Sequence, residues 1–81
     1  MIQNPMELYD EIMKVANPED VSHWTNDLQC KVTPKTKAVI QRYTYRHMVT
    51  KFRSVIDGCM WYEIPFAYKP WWEGGYKNES V

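Results

Sequence analysis

No stretch of this 81-residue sequence approaches the run of about 18 apolar residues that a membrane-spanning helix needs, so nothing in it reads as a span. Glycine is nearly absent, three in all, and the pair Gly74-Gly75 is followed neither by a helix signal nor by a lysine-serine pair. That excludes a phosphate-cradling loop. The opening "MIQNPMELYDE" has neither a basic start nor an apolar run, which gives no signal-peptide reading. With only Cys30 and Cys59 as thiols, the expectation is a reducing, cytoplasmic setting and no disulfide framework.

Catalytic signatures are missing as well. Ser22 and His23 adjoin in sequence, and adjacent helical residues do not face each other. Cys59 and His47 could meet only through tertiary structure, with no third group to orient them. His23, Cys30, His47 and Cys59 have the composition of a Cys2His2 zinc set but none of its close ligand pairs, so no metal and no cofactor are expected. The chain reads as a non-enzyme.

Net charge is zero, and the charges are segregated. Residues 1 to 30 carry Glu7, Asp10, Glu11, Glu19, Asp20 and Asp27 against Lys14 alone, whereas residues 31 to 53 contain no acid. A chain this short forms one domain, here taken as 1–81, and buries only about 60% of its unfolded surface. Four tryptophans and six tyrosines offset the small size, because each buries a large area.

Three proline signals are written alike. Asn4-Pro5, Asn17-Pro18 and Thr33-Pro34 each set a capping side chain before a proline suited to the first helical position. They predict helices over about 5–16, 18–29 and 34–57, the last stopping at Gly58. Apolar Leu8, Tyr9, Ile12, Met13 and Val15 support the first, and Val21, Trp24 and Leu28 the second. On the third, Ala38, Tyr45, Met48, Val49, Phe52, Val55 and Ile56 share one sector at 100° steps. Such a helix would be roughly 36 Å long, so self-association is expected to cover its projecting end. Beyond Gly58, Met60, Tyr62, Ile64 and Phe66 alternate with Cys59, Trp61, Glu63 and Pro65, an edge strand or extended arm over 59–76. Residues 77–81 read as a frayed tail. The predicted fold class is mainly α: a three-helix small domain with a C-terminal aromatic-rich strand or arm.

Two constellations remain for function. On a continuous third helix Lys35, Arg42, Arg46 and Arg53 fall within about 40° of one another, a face for anionic ligands or an acidic partner. The arm collects Trp61, Tyr62, Trp71, Trp72 and Tyr76, types that anchor protein interfaces. The leading expectation is a small interaction protein, an inhibitor or adaptor of the kind found among viral accessory proteins. It would grip a protein partner with the arm and the arginine stripe. The alternative is a nucleic-acid-binding regulator in which the second and third helices form a helix-turn-helix-like pair.

Overall fold

The computed structural model describes residues 1–67 as two helices packed on one face of a four-stranded antiparallel sheet. Helix α1 spans Pro5–Val15, strands β1 and β2 span Val21–Trp24 and Asp27–Lys31, and α2 spans Pro34–Gln41. Strands β3 and β4 follow at Thr50–Arg53 and Met60–Ile64. Single 3-10 turns at Pro18–Asp20 and Arg46–Met48 precede β1 and β3. The expectation of a mainly helical three-helix domain is therefore overturned: the fold is α/β.

Helix α1 forms where the sequence predicts it. The Asn4 side chain accepts from the Glu7 amide at 2.9 Å, while the Glu7 carboxylate accepts from the Gln3 amide at 2.8 Å. Leu8 and Ile12, one turn apart, are the two residues it buries completely. Ala16 is already extended, one residue short of the Asn17 that must avoid helical angles before Pro18.

The second expected helix does not form. Pro18 starts a 3-10 turn that ends after Asp20, and the Asn17 side chain accepts no capping bond. Val21-Ser22-His23-Trp24 contains no strong helix former, and it extends into β1. A two-residue loop at Thr25-Asn26, with Thr25 at φ 55°, returns the chain as β2. In β2 the buried residues Leu28 and Cys30 alternate with half-buried Asp27, Gln29 and Lys31, a period of two.

The third expected helix is cut to eight residues. It begins strongly: Thr33 Oγ1 accepts from the Thr36 amide at 3.1 Å and Thr36 Oγ1 accepts from the Thr33 amide at 2.9 Å. It ends because the backbone beyond it is engaged elsewhere. The Ile2 amide donates to the Arg42 carbonyl at 2.8 Å, and the Thr44 amide donates to the Ile2 carbonyl at 2.9 Å. This parallel bridge between Ile2 and Tyr43 diverts groups that a continuing helix would need. Tyr43, Thr44, Tyr45, Val49, Thr50 and Phe52 also favour extended backbone.

The strand order is β1-β2-β4-β3. Far from being an edge or an arm, β4 is a central strand, pairing Leu28↔Ile64 and Cys30↔Tyr62 on one side and Phe52↔Trp61 and Thr50↔Glu63 on the other. Leu28, Cys30, Tyr62 and Ile64 form the inner face, meeting Leu8, Ile12, Val39, Ile40 and Tyr43 in one core. Gly58, expected to stop a helix, turns the β3–β4 loop at φ 70°, where any Cβ is strained.

Candidate functional site

Because strand side chains alternate, the residues between those of the core point to the opposite side of the sheet. Ser22 and Trp24 from β1, Asp27, Gln29 and Lys31 from β2, Trp61 and Glu63 from β4, and Thr50 and Phe52 from β3 share this outer face. Trp24 is 70% exposed on it. One cross-strand row is polar and linked: Ser22 Oγ donates to Gln29 Oε1 at 3.0 Å, and Gln29 Nε2 donates to Glu63 Oε1 at 2.7 Å. Partial burial, with the Asp27 carboxylate nearby, pushes the Glu63 carboxyl above its ordinary range, against the Gln29 hydrogen bond that lowers it. The next row is amphipathic, with Phe52 directly opposite Trp61 and Lys31 opposite Trp61 on the other flank.

The β3–β4 loop frames this face. Ser54 donates its amide to the Cys59 carbonyl at 2.8 Å and accepts from the Gly58 amide at 2.9 Å. Ser54 Oγ accepts from the Ile56 amide at 3.2 Å, and Asp57 Oδ1 accepts from the Cys59 amide at 2.8 Å. Asp57 Oδ2 takes the Trp61 indole N–H at 3.2 Å and lies 4.0 Å from Lys31 Nζ. Those bonds, the Cys59 amide foremost, hold the Asp57 carboxyl below its ordinary range. The loop is thus tied at its base, yet its tip presents Val55 at 100% and Ile56 at 94% exposure. Between the tip and the outer face lies a cleft of about 520 Å³, lined by Ser22, Gln29, Phe52, Val55, Ile56 and Trp61 among others. Neither α1 nor α2 contributes to its lining.

The residues expected to act fare unequally. Trp61 belongs to the outer face and is half-buried. Tyr62 is a core residue, 3% exposed, and is not available to a partner. Trp71, Trp72 and Tyr76 lie outside the described residues. The arginine stripe loses its premise, because one helix no longer carries it. Lys35 is in the first turn of α2, Arg42 caps its end and bonds Glu11 at 3.2 Å, Arg46 is in the second 3-10 turn, and Arg53 ends β3. Lys14 and then Arg42 hold the Glu11 carboxyl below its ordinary range. The helix-turn-helix-like pair is absent, since its first helix is the β1–β2 hairpin.

Trp24, Phe52, Val55 and Ile56 are the site residues that helical periodicity assigned to cores. The signal that finds Val55 and Ile56 is the turn chemistry of "SVIDG", a serine and an Asp-Gly around two apolar residues. Among the described residues no group of three histidines, cysteines or carboxylates gathers to hold a metal, and no helix is long and apolar enough to cross a membrane. No family model, no curated protein and no solved structure matches the chain. Its functional reading rests on the residues themselves.

Proposed function

We propose that this chain is a non-catalytic interaction module, an inhibitor or adaptor in kind, that grips a protein partner with the outer face of its sheet. The supporting observation is the exposed apolar set at the cleft: Trp24 beside it, Phe52 and Trp61 on its floor, Val55 and Ile56 at its rim. Water-exposed valine and isoleucine on a loop tied by its own hydrogen bonds lose little freedom on docking, which favours affinity. Tryptophan is the side chain most enriched at binding hot spots. Around this cleft Asp27, Glu63, Asp57 and the nearby Glu19 outweigh Lys31 and Arg53, a charge balance that disfavours phosphates and argues against nucleic acid here. A cytoplasmic setting agrees with the two free cysteines.

Affinity capture with the wild type, Trp24→Ala and the double variant Val55→Asp/Ile56→Asp tests the reading. All three positions are exposed, so melting curves should coincide. A protein captured by the wild type and lost from both variants is the expected result. Equal capture by all three proteins would sink the proposal.

A further inference from the structure

Strand β3 is one edge of the sheet. The amide of Ser54 donates to the Cys59 carbonyl, so these residues form a hydrogen-bonded pair, and Phe52–Trp61 and Thr50–Glu63 continue that set two residues apart. The main-chain N–H and C=O groups of Lys51 and Arg53 therefore point away from β4, along the outer edge of the sheet, where no further strand pairs among the described residues. The same two residues carry positive side chains on the face opposite Phe52. Neither forms an ion pair among the described residues: Lys51 Nζ sits 5.9 Å above the Tyr62 ring, and Arg53 donates to the Gly58 carbonyl at 2.6 Å. Guanidinium has further donors to give.

We infer that β3 receives an extended acidic segment of the protein partner as a fifth strand, a mode that rests on the interaction reading above. The cations guard this edge against a second copy of the chain, since paired β3 strands would set lysine and arginine against each other. They favour a strand with carboxylates on that face. On the other face Thr50 and Phe52 continue towards the cleft, so the residues between the carboxylates should be apolar. The partner segment is thus one that alternates acid and apolar residues. Main-chain bonds to Lys51 and Arg53 supply affinity, and the alternation supplies selectivity.

Fluorescence anisotropy with the full chain tests this on three synthetic probes: an alternating glutamate–valine peptide, an alternating lysine–valine peptide, and the glutamate peptide N-methylated at every second amide. The glutamate peptide should bind, and added salt should weaken it. The lysine probe, the N-methylated register that blocks the edge-facing amides, and Lys51→Glu/Arg53→Glu should each bind at least roughly tenfold more weakly. Both substituted positions are exposed, and a melting curve checks that the variant is folded. Failure of the glutamate peptide to bind, or binding indifferent to N-methylation or to charge reversal, would overturn the strand-addition mode. If captured partners depend on Val55 and Ile56 but not on Lys51 and Arg53, the interaction reading stands and this inference falls.

Discussion

Two isoleucines eight residues apart give opposite answers under a helical and a sheet fold. Ile64 is fully buried at the centre of the sheet, opposite Leu28, whereas Ile56 is in solvent at the loop tip. Replacing Ile64 by alanine deletes three carbons, about 2.4 kcal/mol of transfer free energy at roughly 0.8 per buried methylene. The cavity left behind raises the cost to about 3–4 kcal/mol. A domain of this size holds about 4–12 kcal/mol in total, so the loss approaches a third of it or more. At roughly 4–8 °C per kcal/mol, the midpoint should fall by at least about 12 °C. Ile56→Ala should stay within about 0.5 kcal/mol of the wild type. Thermal and urea melts followed by far-UV circular dichroism and tryptophan fluorescence read both variants. A long third helix would place Ile56 in its apolar sector and Ile64 in a peripheral arm, reversing the order. Ile56→Ala costing as much as Ile64→Ala would refute the sheet.

Two further outcomes test local chemistry. Glu63 binds its proton more tightly in the folded chain than in the unfolded one, so its contribution falls as pH rises from about 4 through the folded value. Glu63→Gln should flatten that part of the stability profile, with little gain at neutral pH because the site is open to solvent screening; an unchanged slope would contradict the partly buried carboxyl. Burial also pushes the Cys30 thiol up to about 12, so a thiol reagent should modify Cys59 quickly and Cys30 only at the rate of unfolding. Two equally fast reactions would place Cys30 at the surface.

What the sequence revealed follows from how local each signal is. The starts of α1 and α2 were legible because a capping side chain and a proline act within one turn. The alternation of Tyr62 and Ile64 was legible too, although its depth in the sheet was not, since β4 is central only through two partner strands that both lie upstream of it, β2 at Asp27–Lys31 and β3 at Thr50–Arg53. Asn17-Pro18 starts a 3-10 turn with the same residues that would start an α-helix. Val21, Trp24 and Leu28 fit helical spacing by coincidence, for in the hairpin Trp24 and Leu28 occupy opposite faces. The arginine stripe was a product of extending helical geometry past Gln41, where the bridge to Ile2 takes over the backbone. The exposed cleft is hidden in the sequence for the same reason, because on a helix Val55 and Ile56 would be core residues and only in the β3–β4 loop are they exposed.

The pairing of β2 with β4 also sets the order in which the protein can be made. As the chain emerges during synthesis, α1 and the β1–β2 hairpin can form from neighbouring residues, but the inner side of β2 waits for Met60–Ile64. Until those residues clear the ribosome, Leu28 and Cys30 have β1 on one side and an open flank on the other, where β4 will pair. Folding therefore waits on a long-range pairing and is slower than that of a helical bundle of the same length. The unpaired flank of β2 is the surface a chaperone or a neighbouring nascent chain would meet first.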